Sequence, residues 1–196
     1  MNDNELRIQT EEIQTDGKDT FHFHRYEPTP YEVLDHLFEY MPLSPDDVLV
    51  DYGSGLGRVS FYASCRFGCR STGIEFCEDY FERSLKNLET YVGNRDLISF
   101  CYGKAEEYHI HENENIFYFF NPFSQVIFKK VINQILASLS IAPRKVTLVL
   151  YYPEDDTIFY LENHTIFTRI DEVAASETVR YDRRERFVIY SWSSNT

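Results

Sequence analysis

A glycine-rich turn is the clearest chemical feature of the sequence. The apolar residues 48–50 end in Asp51, and glycines follow at alternate positions, Gly53, Gly55 and Gly57. The apolar run predicts a buried strand, and a helical pattern resumes after the turn. Glycine permits a tight turn and a close approach of backbone to ligand, and the first N–H groups of a helix favour an anionic group. These features predict a nucleotide-type ligand site.

The spacing of the glycines distinguishes between two cofactor classes. A dinucleotide fingerprint has Gly or Ala at the sixth position from its first glycine, where this chain has Arg58. The pattern resembles instead the first motif of class I S-adenosylmethionine-dependent methyltransferases, apolar-Asp-x-Gly-x-Gly-x-Gly, which residues 50–57 match throughout. A nicotinamide-dependent dehydrogenase is the weaker alternative. The resemblance implies S-adenosylmethionine as cofactor, and it implies contacts to that cofactor from Asp51, Gly53, Ser54, Gly55 and Gly57.

An acidic residue at the end of the second predicted strand agrees with the resemblance to these methyltransferases. The strand over residues 71–75 ends in Glu75, and Phe76 follows. A carboxylate can accept both hydrogen bonds of a ribose diol. The resemblance implies that role for Glu75 and a place against adenine for Phe76. The alternative is that Glu75 only caps the following helix.

A third motif follows the third predicted strand. The resemblance places Ala105 and Glu106 beside adenine, with the acid accepting from the adenine amino group. The alternative is a polar first turn of a helix.

A fourth motif follows the apolar strand over residues 116–120. Asn121, Pro122 and Phe123 stand where ligands bind in open α/β sheets, outside the carboxyl ends of the strands. The segment resembles the Asn-Pro-Pro-Tyr loop of amino-directed methyltransferases, although Phe123 replaces the second proline, which argues against DNA adenine. We expect Asn121 to face the methyl end of the cofactor, and Pro122 and Phe123 to contact the substrate. The alternative is that the loop residues only shape the turn.

The segment before the first strand completes the predicted pocket. Tyr26, Thr29 and Tyr31 are candidates to line the cofactor or substrate site, and we assign them to the substrate, with simple packing as the alternative. Thr29 predicts a helix N-cap, because Pro30 suits the first helical position and Glu32 completes a capping box.

Strand and helix patterns alternate along most of the chain. This alternation predicts an α/β fold with a doubly wound, mostly parallel seven-stranded sheet, helices on both faces and a C-terminal antiparallel hairpin. The helix over residues 78–92 should bury an apolar face made by Phe81, Leu85, Leu88 and Val92. Residues 1–24 read as an extension, either mobile or acting as a lid, and residues 25–196 as a single domain.

Composition narrows the choice of partners. The chain has 196 residues and a formal net charge of -13, which repels phosphate backbones and anionic membranes. We therefore expect no membrane partner and no DNA substrate, and we read the arginines within residues 180–186 as a solvated hairpin tip.

The N-terminus has no secretory pattern, so a cytoplasmic protein with reduced, mostly buried cysteines is expected. Two His-x-His pairs lack further ligands at suitable spacing, and we predict no metal site.

The expected activity is in-line methyl transfer to an acceptor that the sequence does not identify. The short extension and terminal hairpin favour a small molecule, with a protein or RNA amine as the alternative. A different class of function, a non-catalytic S-adenosylmethionine-binding scaffold, also fits these motifs. The sequence names no catalytic residue and no oligomeric state.

Overall fold

The computed structural model describes residues 1–11, 27–176 and 180–194. Six helices are described: α1 Asp3–Leu6, α2 Tyr31–Tyr40, α3 Arg58–Phe67, α4 Glu78–Thr90, α5 Gln125–Ile141 and α6 Asp155–His164. The strands are β1 Val48–Tyr52, β2 Arg70–Glu75, β3 Ile98–Tyr102, β4 Ile116–Phe120, β5 Val146–Tyr151, β6 Thr168–Ala174 and β7 Arg186–Trp192.

The strands form one sheet with the order β3-β2-β1-β4-β5-β7-β6. The first five strands in this order are parallel, β7 is antiparallel to β5, and β6 is antiparallel to β7. The predicted fold class is therefore confirmed. The chain leaves β1 toward β2 on one side and later returns to β4 on the other, so a crevice opens between the carboxyl ends of β1 and β4.

Alternate residues of the central strands enter two separate cores. Phe117 and Phe119 of β4 pack on the α5 side of the sheet. Tyr118, between them, packs on the opposite side with residues of α2 and α3. Because β1 is buried along its whole length, its apolar run reads as a continuous rather than an alternating pattern.

Helix α4 departs from the prediction in the face that it buries. Its buried residues are Ser84 and Asn87, whereas Leu85 is 38% exposed and Val92, beyond its end, is 50% exposed. The reason is that the N-terminal segment packs on this helix, which helical periodicity does not reveal. Asn87 accepts a hydrogen bond from the backbone N–H of Gln9 at 2.9 Å, so a polar side of α4 faces the N-terminal segment.

The N-terminal segment, residues 1–11, packs against the rest of the fold. Leu6 and Ile8 are buried with Phe61, Tyr91 and Ile98. The proposed lid role for residues 1–24 and the domain boundary stay predictions, and residues 12–24 lie outside the described part of the chain.

Helix α6, between β5 and β6, was not predicted. Among the four cysteines only Cys69 is buried, and Cys65 is exposed, so the expectation of mostly buried thiols is wrong. In the arginine-rich segment, Arg184 pairs with Glu154 at 3.0 Å, and Arg186 pairs with Glu172.

Across the described ranges, none of the helices is long and apolar enough to cross a bilayer. The cytoplasmic location stays a prediction.

Candidate functional site

The glycine turn is possible only without side chains at its first and last glycines. Gly53, Gly55 and Gly57 have φ angles of 78°, 52° and 91°, in the left-handed region that favours glycine. A Cβ on Gly53 would lie 2.6 Å from the Cβ of Pro122, and one on Gly57 would lie 2.5 Å from a ring carbon of Phe100. The turn is therefore pressed against the loop after β4, which brings the first and fourth predicted motifs together.

Glu75 is held across the mouth of this turn. One carboxylate oxygen accepts the N–H of Gly55 at 2.7 Å, and the other accepts the N–H of Cys77 at 2.7 Å. The backbone N–H of Phe76 is a third donor to this carboxylate, and an ionised carboxylate offers about four acceptor positions, so one remains for another donor. Burial raises the pKa of Glu75, and the backbone N–H groups of Cys77, Gly55 and Phe76 oppose that shift. The remaining acceptor position is open to a hydroxyl donor such as one of a ribose.

Asp51, the penultimate residue of β1, lies in a much less polar environment. Its side chain is buried, and desolvation, helped by the charge of Glu75, raises its pKa to about 8. A cationic group placed beside Asp51 would favour the ionised form and offset that desolvation.

Ser54 supplies a further polar group without a partner in the protein. Its hydroxyl oxygen is buried and has no hydrogen-bond partner among the described residues. Buried polar atoms are normally paired, so an orphan in the glycine turn is a position where a ligand would satisfy it.

The third motif forms a short 3-10 turn, Ala105–Glu107. Ala105 is buried, and one carboxylate oxygen of Glu106 lies 3.5 Å from Lys130 Nζ. The other oxygen of Glu106 is buried and has no partner within the described residues. It is thus an acceptor suited to an amino group. Phe76, the predicted adenine contact, is 42% exposed.

The loop after β4 begins with a strained residue. Asn121 has a φ of 36°, which is uncommon for a residue other than glycine and occurs often at functional sites. Phe123 is only 5% exposed and meets Tyr52 and Phe119 with ring centroids 6.5 Å and 6.3 Å apart. This burial favours a packing role for Phe123. Asn121 and Pro122 remain partly exposed at the turn.

Thr29 is buried against β4 instead of capping the helix. The N-cap residue of α2 is Pro30, with no side-chain cap, so the predicted capping box is wrong. Instead Thr29 Oγ1 hydrogen-bonds the hydroxyl of Tyr118 at 2.8 Å, and Tyr118 pairs in register with Asp51. This long-range partner holds the buried Thr29 against the middle of β4, and its place in the substrate site stays a prediction.

Tyr31, another predicted substrate residue, contacts the N-terminal segment. Tyr31 donates its hydroxyl to Asp3 at 2.5 Å, and its ring lies under the guanidinium of Arg58 at 4.6 Å. Tyr31 is thus engaged with the N-terminal segment. Tyr26 lies outside the described residues.

Aromatic residues on the far side of the crevice were missed by the sequence analysis. Phe120 precedes Asn121, and the centroid of its ring lies 4.4 Å from that of Tyr151 and 6.5 Å from that of Tyr152. The Tyr151 hydroxyl donates to Glu185 at 2.6 Å. The signal that could have found them is their place at the end of β5, the strand beside β4.

Comparison with known families and proteins gives the site its context. The family model of the histone methylation protein DOT1 matches residues 19–181, well over half of the chain. The chain is 37% identical over 65 residues to the H3 lysine-79 specific histone-lysine N-methyltransferase of Dictyostelium discoideum, and 32% identical over 65 residues to a protein-lysine N-methyltransferase of Saccharolobus islandicus. Each alignment covers 33% of this chain, but only 3% and 40%, respectively, of the two relatives.

Solved structures show the same fold. An RNA methyltransferase from Salinibacter ruber, in complex with S-adenosyl-L-homocysteine, superposes with a TM-score of 0.53 and 23% identity, covering 87% of this chain and 96% of its own. A precorrin-6y C5,15-methyltransferase from Geobacter metallireducens superposes with a TM-score of 0.61 and 18% identity, covering 88% and 93%.

The family match includes the glycine turn, Glu75 and the Asn121 loop, which the fold brings to one crevice. The class of enzyme and cofactor inferred from the glycine turn is confirmed. The chain belongs to the DOT1 family of histone methylation proteins, and it forms a class I S-adenosylmethionine-dependent methyltransferase domain.

Proposed function

We propose that this domain transfers the methyl group of S-adenosylmethionine to the side-chain amine of a lysine in a protein. The observation that carries the proposal is the DOT1 family match over residues 19–181, to which the names of two lysine N-methyltransferases add support. The small-molecule acceptor favoured by the sequence analysis has no support from these relatives.

The cofactor would lie across the carboxyl ends of β1, β2 and β3. The glycine turn leaves room for it, the remaining acceptor position of Glu75 suits a ribose hydroxyl, and the buried oxygen of Glu106 suits the adenine amino group. The hydroxyl of Ser54 would gain the partner that it lacks. The bound cofactor supplies an electrophilic methyl group on a sulfonium, which is an excellent leaving group.

Asp51 would accept the ammonium of the methionine part of the cofactor. Its carboxyl group is desolvated, and a cation at contact distance is the partner that makes the ionised form favourable. This assignment explains why the fold tolerates an acid whose pKa is raised to about 8.

The acceptor would approach from the opposite side of the crevice, where Phe120, the residue before the Asn121 loop, packs on the rings of Tyr151 and Tyr152. A lysine amine must be neutral to attack, and its usual pKa is about 10.4. Aromatic walls exclude water and lower the pKa of an ammonium by desolvation. Positioning of the amine against the methyl group supplies most of the remaining catalysis, since alignment alone can contribute roughly 7–11 kcal/mol.

The charge of the chain is compatible with a basic protein as acceptor. A net charge of -13 attracts lysine-rich proteins at long range and raises their association rate. The same charge disfavours RNA, the other acceptor considered.

The test is a methyl-transfer assay with isotopically labelled S-adenosylmethionine and a lysine-rich protein. Histones and a ribosomal-protein mixture serve as acceptors, and mass spectrometry locates the modified residue. We expect label on lysine, loss of label when the acceptor lysines are acetylated, and at least a tenfold lower rate for Asn121→Ala at saturating cofactor.

Other outcomes separate the alternatives. Turnover with metabolite extracts but with no protein would restore the small-molecule acceptor. Micromolar binding of S-adenosyl-homocysteine with no turnover on any acceptor would favour the non-catalytic scaffold.

A further inference from the structure

A buried charged network joins the N-terminal segment to the residue that follows the glycine turn. Asp3 is 7% exposed, and its carboxylate accepts hydrogen bonds from the hydroxyl of Thr10 at 2.7 Å, from the backbone N–H of Thr10 and from the hydroxyl of Tyr31 at 2.5 Å. An acidic side chain is ordinarily solvated, so its burial requires a compensating cation.

Arg58 is that cation. It is the first residue of α3 and is 6% exposed, and its Nη2 atom lies 3.8 Å from the carboxylate of Asp3. Its Nε donates to the Thr10 hydroxyl at 2.6 Å, and its Nη1 donates to the carbonyl of Thr29 at 3.3 Å. A buried guanidinium without its carboxylate is strongly unfavourable, so loss of Asp3 should turn Arg58 out of this position.

Through Arg58 the network reaches the strand pair that carries Asp51. The carbonyl of Thr29 is held by Arg58, and its hydroxyl is held by Tyr118, the register partner of Asp51. The two contacts fix both the backbone and the side chain of Thr29 next to the strand pair that carries Asp51.

A second contact ties the same segment to the glycine turn itself. The side-chain amide of Asn87 donates to the carbonyl of Gln9 at 3.1 Å and to the carbonyl of Leu56, inside the turn, at 3.0 Å. The N-terminal segment is therefore linked to the glycine turn through Asn87 and to Thr29 through Arg58.

We propose that Asp3 is a positioning residue for cofactor binding, which neutralises Arg58 and thereby holds Thr29 next to the strand pair that carries Asp51. The inference rests on the proposed cofactor site but not on the identity of the acceptor. Asp3 does not touch the reacting atoms. Its effect belongs to the affinity for cofactor and not to the rate of methyl transfer once cofactor is bound.

The experiment is a double-mutant cycle on the affinity for S-adenosyl-homocysteine, measured by calorimetry on the full chain. Asp3→Asn and Arg58→Gln should each raise the Kd about tenfold. The double variant should also lie about tenfold above the wild type, not a hundredfold, because both changes break one network. At saturating cofactor, Asp3→Asn should keep the wild-type rate within about twofold.

A control separates positioning from mere stability. Asn2→Ala removes the side chain that accepts the N–H of Glu5 and caps α1, and so loosens the same segment without touching Arg58. It should lower the melting temperature while changing the Kd by less than about twofold. If Asp3→Asn folds poorly, Thr10→Val provides the milder break and should raise the Kd about threefold.

Three results would overturn the inference: multiplicative effects in the cycle, an unchanged Kd for Asp3→Asn, or an equal rise in Kd for Asn2→Ala at the same loss of melting temperature. Absence of cofactor binding by the wild-type chain is a distinct result, because it would refute the cofactor site and the inference together.

Discussion

Replacement of Asp51 by Asn should stabilise the ligand-free fold and at the same time weaken cofactor binding. In the fold the pKa of Asp51 is raised from 3.8 to about 8, chiefly by desolvation. Below pH 3.8 the group is protonated in both the folded and the unfolded chain and causes no difference. Between the two values only the folded chain holds the proton, so the free energy of unfolding falls as the pH rises toward 8 and is level above that.

The size of the effect follows from the shift. One unit of pKa corresponds to about 1.36 kcal/mol, so a shift of about four units sets an upper limit near 6 kcal/mol at pH 8.5. Local relaxation and water entry reduce such values by a factor of two to three, which leaves about 2–3 kcal/mol. For a domain of this length that corresponds to a rise in melting temperature of roughly 4–12 °C.

The assay is thermal unfolding of the wild type and Asp51→Asn, without ligand, at pH 4.5 and pH 8.5. The difference between the two proteins should be several times larger at pH 8.5, because Asn does not titrate, and any packing change is common to both pH values. Calorimetry at pH 8.5 should show at least tenfold weaker cofactor binding by the variant, since the methionine ammonium loses its counter-ion. The same melting difference at both pH values, or an unchanged affinity, would refute the reasoning.

Three further changes test other parts of the site. Glu75→Gln presents an amide in a position that now accepts three backbone N–H groups, and it should raise the Kd for S-adenosyl-homocysteine about tenfold or more in calorimetry. Gly53→Ala should cost about 2–4 kcal/mol in urea unfolding, because its Cβ meets Pro122 at 2.6 Å. Gly68→Ala is its matched control: a similar φ of 69° with no atom within 4 Å limits its cost to about 1 kcal/mol, and equal costs would contradict the clash. Tyr151→Phe should raise the KM for a lysine peptide about threefold or more in steady-state kinetics, with the cofactor Kd unchanged. An altered cofactor Kd would mean that Tyr151 acts on the cofactor site and not on the acceptor site.

The sequence by itself determined the cofactor motifs and most of the fold. The glycine turn could be recognised because its signal is local: an apolar strand, an acid and three glycines within ten residues. The parallel sheet followed from the alternation of strand and helix patterns, since a right-handed crossover leaves few other arrangements.

Only the tertiary structure decided which side chains meet in the crevice. The local sequence predicted that Thr29 caps a helix, but the side chain of Thr29 bonds to Tyr118, 89 residues away. The periodicity of α4 predicted a buried apolar face, but the helix turns the polar side chain of Asn87 toward Gln9, 78 residues away. Such pairings are absent from local periodicity, because periodicity reports how a segment alternates between buried and exposed positions and not which distant segment covers it. The burial of Asp3 with Arg58 has the same origin: two opposite charges can leave water only where the whole fold brings them together.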